Sequence, residues 1–153
     1  MSELNVPENL KLRAANAMDR SAMASLLSTA KLAALDSVAQ FGPQYVVAVY
    51  ASSILVGVAG LEIYGSDALL RSVAVAPSLR GQGLGQRLTQ DRMKWAAEHG
   101  IKQLYLLTMD ARGYWERFGF EVINRSDAPP GVQGSTQWAG GCSATAVAMR
   151  KAL

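Results

Sequence analysis

The feature that most constrains this chain is an apolar, β-branched segment that runs into a proline and then into three closely spaced glycines. Residues 68–76 predict a strand, Pro77 ends it, and Gly81, Gly83 and Gly85 precede a helical pattern. Because glycine has no side chain, a ligand can approach the main chain of such a turn closely. The first turn of the following helix has unpaired N–H groups and the positive end of the helix dipole, which attract anions. The sequence therefore predicts an anion-binding strand–turn–helix unit.

The spacing within this loop separates it from two common nucleotide-binding motifs. The nucleotide P-loop ends in Gly-Lys-Ser/Thr, whereas this loop ends in Gly85, Gln86 and Arg87. The dinucleotide fingerprint requires Gly-x-Gly-x-x-Gly, which the three glycines do not match. The pattern that fits is Arg80-x-x-Gly83-x-Gly85 directly after a strand. This pattern resembles the acetyl-CoA pyrophosphate loop of the GNAT superfamily of N-acyltransferases.

The resemblance implies that the chain uses acetyl-CoA as a co-substrate. The loop would hold the pyrophosphate, the strand before it would line the pantetheine arm, and a main-chain N–H near Val73 would meet the oxyanion. The cofactor-binding residues implied in this way are Val73, Ala74, Val75, Arg80, Gly81, Gln82, Gly83, Leu84, Gly85 and Gln86.

Length and composition predict one globular domain over residues 1–153, since half of the residues are apolar and 18% are charged. The net charge is only +3 and no dense basic run occurs, so nucleic acid is not an expected partner. Serines and glycines interrupt the apolar stretch 45–63, which favours two strands over a membrane span. The single cysteine, Cys142, and the absence of a signal-peptide pattern predict a cytoplasmic protein without a disulfide. No metal site is expected.

Periodicity and breaker residues predict alternating strands and helices. The first helix begins at Asn16 or Asp19 and runs to about residue 35, and its apolar face is assigned to Met18, Ala22, Leu26 and Leu27. Further helices are expected at 83–98 and 111–117, a polar loop from residue 127, and strands at 10–15, 45–50, 54–63, 68–76, 102–108, 120–123 and 144–150. The GNAT resemblance implies an α+β fold, in which helices flank a mixed, mostly antiparallel central sheet.

A second match to the superfamily lies in residues 111–120, where a short helix ends in Gly119 and Phe120. Many members of the superfamily have a tyrosine four residues before that glycine, where it protonates the departing CoA thiolate. Here Trp115 occupies the position, and a tryptophan is not a useful proton donor. Either Tyr114 serves as the general acid through a local shift, or the enzyme works without a tyrosine acid. The alternative role for both aromatic side chains is packing against the sheet.

A narrower resemblance links the chain to N-acetyltransferases of the arsenic-resistance and amino-acid types. It is carried by Leu61-Glu62, residues 69–72, Thr108, residues 128–130 and the C-terminal segment from Cys142. A proline usually follows the matching cysteine there, whereas this chain has a serine. The resemblance implies that the acceptor is the amine of a small molecule, either an amino acid or an amino-acid-like toxin.

The acceptor amine must be neutral to attack a thioester, and Glu62 is the candidate general base because it is a carboxylate in an otherwise apolar strand. Arg71 is placed to pair with an acceptor carboxylate, or else to form a salt bridge with Glu62 or Asp67. Ser72 and Thr108 complete the predicted acceptor-binding set.

Three alternatives to this function remain open. A non-catalytic CoA-binding or interaction module would explain Trp115 at the position of the general acid. An acetyltransferase for a protein amine or for an antibiotic amine would keep the cofactor loop and change the acceptor. Dimers are common in the superfamily that the chain resembles, and the sheet edge after residue 120 is the predicted surface for a homodimer.

Overall fold

The computed structural model describes residues 10–32, 38–51, 54–141 and 145–153. In these residues seven strands form one sheet in the order β1-β2-β3-β4-β5-β7-β6. The strands are β1 (Lys11–Ala14), β2 (Tyr45–Tyr50), β3 (Ile54–Tyr64), β4 (Asp67–Val75), β5 (Gln103–Thr108), β6 (Glu121–Ile123) and β7 (Val147–Ala152). The helices are α1 (Arg20–Thr29), α2 (Leu84–Glu98), α3 (Arg112–Glu116) and α4 (Pro130–Gln133). The β4–β5 pair is parallel, and the pairs β1–β2, β2–β3, β5–β7 and β6–β7 are antiparallel. The predicted α+β fold with a mixed, mostly antiparallel sheet is confirmed.

The chain divides into two compact units. The first comprises Met1–Leu61 and Ser72–Lys94, and the second comprises Glu62–Arg71 and Trp95–Leu153. The prediction of one domain over residues 1–153 stays a prediction.

The core of the first unit has two layers because consecutive residues of β2 point to opposite faces of the sheet. On one face, β2 packs against α1, and the buried side chains are Tyr45, Val47, Val49, Met23, Leu26 and Leu27. On the other face, β2 packs against α2, and the buried side chains are Val46, Ala48, Leu84 and Leu88. Gly57 of β3 lets α2 approach closely, since a Cβ there would lie 2.8 Å from Leu88 Cδ1.

The start of α1 differs from the prediction. Asn16 caps a 3-10 turn over Ala17–Asp19, and the α-helix begins only at Arg20. This delay rotates the apolar face, so that Met18 is 94% exposed and Ala22 is exposed, while Leu26 and Leu27 are buried as predicted. The helix also ends earlier, at Thr29, and residues 33–35, the last part of the predicted helix, lie outside the described part of the chain.

The second unit contains the parallel β4–β5 pairing, which covers Asp67–Leu69 and Gln103–Tyr105, and the antiparallel β5–β7 and β6–β7 pairs. Its core joins Leu69 and Tyr105 to Val132 and Trp138. The segment after residue 127 was predicted to be a polar loop, but it contains α4 and a π-helical turn over Gln137–Gly141. Burial of the Val132 and Trp138 side chains in this core orders the segment. Strand β7 begins at Val147 instead of residue 144, and Cys142, Ser143 and Ala144 lie outside the described residues.

Candidate functional site

The glycine loop, defined as Arg80–Gln86, lies in the first unit; it follows β4 and includes the first three residues of α2. Gly81 and Gly83 have φ values of +78° and +88°, a conformation that favours glycine over other residues. The Arg87 N–H donates to the Gly83 carbonyl oxygen and is the first amide engaged by the helix, so the amides before it have no intrahelical partner. The first turn of α2 contains no acidic side chain that would repel an anion. The predicted strand–turn–helix unit is present in this form.

The side chains of the glycine loop fold back on the turn that precedes it. Arg80 Nε donates to the Val75 carbonyl oxygen over 3.1 Å, and Gln82 Nε2 donates to the Ser78 carbonyl oxygen over 3.4 Å. Arg80 is exposed and a guanidinium has five N–H donors, so its terminal nitrogens remain capable of contacting an anion. The loop therefore presents main-chain amides together with one cation.

The end of β4 alternates between the two faces of the first unit. Val73 and Val75 are half-buried and pack on the α2 side, whereas Ala74 is buried on the α1 side. Ser72 is buried, and its Oγ lies 2.9 Å from the Tyr45 hydroxyl oxygen. The Ser72 hydroxyl is thus engaged inside the first unit, and its predicted contact with the acceptor stays a prediction.

In the second unit, Glu62 receives two charge-assisted contacts. Arg71 Nη1 lies 2.5 Å from Glu62 Oε2, and the Tyr64 hydroxyl donates to Glu62 Oε1 over 2.8 Å. The Arg71 side chain is 1% exposed, whereas the Glu62 side chain is 18% exposed. Of the two predicted interpretations of Arg71, its contacts favour the salt bridge with Glu62. The carboxylate is the member of the pair that reaches solvent.

Tyr64 and Ser135 join this group, although they were not among the predicted site residues. Burial, together with the neighbouring Glu62 carboxylate, raises the pKa of the Tyr64 hydroxyl above its usual range, while a hydrogen bond from Ser135 opposes the rise. Gly131 packs against the tyrosine, since a Cβ there would lie 2.9 Å from Tyr64 Cβ. The signal for Tyr64 was its spacing, because residues two apart on β3 share a face with Glu62. Ser135 had no local signal. We call Glu62, Tyr64, Arg71 and Ser135 the Glu62 cluster.

Helix α3 carries the two aromatic side chains that the sequence left open. Trp115 is buried, and its ring contacts those of Phe118 and Phe120 at centroid distances of 5.9 and 5.8 Å. Tyr114 is half-buried, and its ring meets that of Trp115 edge-on at 4.9 Å. Gly119, with a φ of +93°, ends the segment. These contacts give Trp115 a packing role, and the role of Tyr114 as general acid stays a prediction.

Thr108 lies buried at the end of β5. Its Oγ1 accepts a hydrogen bond of 3.1 Å from the Ala111 N–H at the start of α3. The hydroxyl therefore supports the chain entering the short helix and still has its own hydrogen available for donation. Its predicted contact with the acceptor stays a prediction.

Comparison with protein families gives one match, to the acetyltransferase (GNAT) family, over residues 16–120. This is more than half of the chain. The chain belongs to the GNAT family. The match includes the glycine loop, the Glu62–Arg71 pair and α3. The predicted enzyme class, a GNAT acetyltransferase, is confirmed.

Several solved structures share this fold at low sequence identity. N-acetylglutamate synthase from Neisseria gonorrhoeae, complexed with coenzyme A and N-acetyl-glutamate, has a TM-score of 0.79 at 18% identity, covering 97% of this chain and 36% of the synthase. The chain thus spans about a third of that protein. Rv2747 from Mycobacterium tuberculosis, in complex with CoA, has a TM-score of 0.76 at 19% identity, covering 94% of this chain and 99% of that one. Arabidopsis thaliana Naa50, in complex with the bisubstrate analogue CoA-Ac-MVNAL, has a TM-score of 0.70 at 16% identity, and the match covers 95% of this chain and 99% of the Naa50 chain. Identities this low show the fold alone.

The comparison with curated proteins finds no match. Within the described ranges, no helix has the length and apolar character needed to cross a membrane. The same ranges contain no group of three or more His, Cys, Asp or Glu side chains arranged to hold a metal ion.

Proposed function

We propose that this GNAT enzyme transfers the acetyl group of acetyl-CoA to the amine of a small molecule, an amino acid or an amino-acid-like toxin, by direct attack in a ternary complex. The observation that carries the acceptor assignment is the Glu62 cluster, in which a partly exposed carboxylate is held by a buried guanidinium and a phenol. A fixed carboxylate of this kind suits the amine of a small acceptor. We further propose that the enzyme acts in the cytoplasm.

The glycine loop is the proposed site for the CoA pyrophosphate. Its support is the pair of positive-φ glycines, the acid-free first turn of α2 and the exposed cation of Arg80. A helix N-terminus contributes about 0.3–1 kcal/mol for each negative charge, and up to about 2 kcal/mol when it is partly buried. The half-buried Val73 and Val75 are proposed to line the pantetheine arm, with the Val73 N–H donating to the oxyanion.

The acceptor must reach the reaction as a neutral amine. An α-amine with a pKa of about 8 is already about a fifth neutral near pH 7.4, whereas a lysine side chain is about a thousandth neutral. An α-amino acceptor therefore needs only modest help from a base. Glu62 is the proposed base, since two donors occupy its oxygens and an ionised carboxylate has about four acceptor sites. A remaining lone pair can take the amine proton directly or through water.

The other members of the cluster act through Glu62. The buried guanidinium of Arg71 holds one oxygen of the carboxylate in place, and the Tyr64 hydroxyl fixes the orientation of the other. Tyr114 is the proposed donor to the departing CoA thiolate, because it is half-buried and carries the hydroxyl nearest in sequence to Trp115. Ser72 and Thr108 are proposed to contact the acceptor through main-chain groups or through the free hydroxyl hydrogen of Thr108.

The test measures thiol release from acetyl-CoA with a panel of amino acids, their methyl esters and their decarboxylated amines. Turnover with amino acids and with decarboxylated amines is expected if Glu62 is the main acceptor contact. Turnover restricted to acceptors that carry a carboxylate would show that Arg71, and not Glu62, is the main contact of the acceptor. Tight CoA binding without turnover on any amine would instead support the non-catalytic alternative.

A second candidate acceptor is the N-terminal amine of a peptide. The observation that favours it is the likeness to Naa50, whose solved complex contains a peptide-based bisubstrate analogue. Short peptides with free and blocked N-termini therefore belong in the same panel. Preference for peptides over free amino acids would favour this candidate.

We also propose that the chain forms a homodimer. Gel filtration with light scattering, as a separate measurement, tests this proposal.

A further inference from the structure

Ser72 has a backbone conformation that its surroundings must hold. Its φ is +62°, within the left-handed region that non-glycine residues rarely adopt. Two other described non-glycine residues share this property, Lys31 and Ala51, and both are exposed residues outside regular secondary structure. Ser72 instead lies inside strand β4 and is 7% exposed. A strained residue in a central strand persists only when neighbouring groups fix it, and such residues occur often at functional sites.

The group that reaches Ser72 comes from two strands away. Tyr45 begins β2 and pairs across the sheet with Gly60 of β3. A Cβ added at Gly60 would overlap the Tyr45 ring, so the ring lies in the space that the glycine leaves empty. From there the Tyr45 hydroxyl extends over β3 to β4, where its oxygen lies 2.9 Å from Ser72 Oγ. The missing side chain of Gly60 makes this contact sterically possible.

The Tyr45 hydroxyl is itself held in place. Gln40 Nε2 donates to the phenol oxygen over 3.2 Å, and Gln40 and Tyr45 are both 0% exposed. The phenol oxygen therefore has Gln40 as a second partner besides Ser72 Oγ, and either hydroxyl can be the donor in the Tyr45–Ser72 hydrogen bond. A buried polar network of this kind is costly to leave unsatisfied, which makes its geometry specific.

We propose that Tyr45 is a positioning residue that holds Ser72 in its left-handed conformation and thereby sets the direction of the Val73 N–H. The dihedral angles of residue 72 determine the plane of the peptide that carries this N–H. The inference rests on the proposed function, in which the Val73 N–H donates to the oxyanion formed from acetyl-CoA. A donor acts best when it is aimed beforehand at the place where charge develops. A tyrosine that served only to fill the core would need its ring and not its hydroxyl.

The first experiment removes the hydroxyl alone. Tyr45→Phe is expected to lower kcat about 3- to 10-fold, the range for the loss of one neutral hydrogen bond, and to leave the KM for acetyl-CoA unchanged. Ser72→Ala, which removes the contact from the other side, is expected to give a similar loss. Tyr50→Phe, on the same strand, is the matched control and is expected to keep the wild-type kcat. An unchanged kcat in both Tyr45→Phe and Ser72→Ala would overturn the proposal.

A rescue experiment separates positioning from general stability. Glycine adopts positive φ without strain, so in a Ser72→Gly background the conformation of residue 72 no longer depends on the Tyr45 hydroxyl. Adding Tyr45→Phe to that background is expected to change kcat less than twofold. A loss as large as in the wild-type background would show that the hydroxyl acts through the general stability of the unit, and the proposal would fall.

A binding measurement distinguishes this proposal from the proposed function. S-acetonyl-CoA is an unreactive ketone analogue that presents a carbonyl oxygen in place of the thioester. In the wild-type protein its binding is expected to move the Val73 amide proton resonance downfield, and Tyr45→Phe is expected to reduce that shift. An equal shift in both proteins would overturn the positioning role. No shift in either, with S-acetonyl-CoA bound, would show that Val73 is not the oxyanion donor and would overturn the proposed function at that point.

Discussion

The salt bridge between Glu62 and Arg71 allows a prediction about which partner is more costly to remove. The guanidinium is 1% exposed and the carboxylate is 18% exposed. A buried charge that loses one of its partners is compensated less well than a charge that water can reach. We therefore expect Glu62→Gln to destabilise the protein more than Arg71→Met does.

The magnitude follows from the distance and the burial. The centres of two charges in hydrogen-bond contact lie about 4 Å apart, and at an effective dielectric constant of about 20 they attract by about 4 kcal/mol. Glu62→Gln keeps the shape of the side chain and leaves the buried guanidinium beside a neutral amide, which is expected to cost about 2–4 kcal/mol. Arg71→Met leaves a carboxylate that water and Tyr64 can still contact, and it adds buried apolar surface, so the expected cost is about 1–2 kcal/mol.

Urea unfolding followed by far-UV circular dichroism at pH 7 measures both costs. The double variant Glu62→Gln/Arg71→Met is expected to cost less than the sum of the single changes, since the two residues are in contact. Glu116→Gln is the matched control, because Glu116 forms an exposed pair with Arg112 that is expected to contribute less than about 1 kcal/mol. If Arg71→Met is the more costly change, burial does not govern this pair and the reasoning is wrong.

The remaining predictions concern three other sites. Gly83→Asp is expected to abolish CoA binding in calorimetry, because it places a negative side chain at a positive-φ position of the loop; Gly100→Asp, with the same charge at a φ of +81°, is the control expected to bind normally. Asp19 has a pKa below its usual range because a β1 guanidinium donates to both of its oxygens. The contribution of the ionised Asp19 to the free energy of unfolding is therefore present above about pH 4 and is lost as the pH falls through the lowered pKa. The unfolding curves of Asp19→Asn and of the wild-type protein should therefore converge in acid. Gly60→Ala is expected to destabilise the fold by about 1–3 kcal/mol in urea unfolding, because the new methyl group overlaps the buried Tyr45 ring.

The glycine loop was predictable because its conformation depends on residue type. The positive φ values at Gly81 and Gly83 are required by the turn, and glycine supplies them whatever the tertiary context. The start of α1 was not predictable in the same way. Asn16 was identified as a cap, but a cap does not say whether a 3-10 turn or an α-helix follows, and that choice decides which side chains face the core.

The Glu62 cluster shows where a single sequence stops being informative. The sequence left Arg71 with two interpretations, a contact with an acceptor carboxylate or a salt bridge. The salt bridge with Glu62 could be considered because the two residues lie on consecutive strands joined by a tight turn. Ser135 lies about 70 residues further along the chain, and its contact with Tyr64 depends on α4 folding against that tyrosine. The alternation of residues along β3 does not predict a contact with a residue so far away in the sequence, so only the tertiary structure shows it.

The positions that break ordinary strand rules occur together in β3 and β4. Gly60 is a glycine in the middle of a strand, Arg71 is a buried charge, and Ser72 is a non-glycine residue with positive φ. Each weakens a strand when taken alone. Each is also compensated by a specific partner: the Tyr45 ring fills the space at the glycine, its hydroxyl meets Ser72, and Glu62 pairs with the arginine. A sequence optimised for stability alone has no need of such compensated exceptions, so their occurrence beside the residues proposed for acetyl transfer favours a functional reason for them.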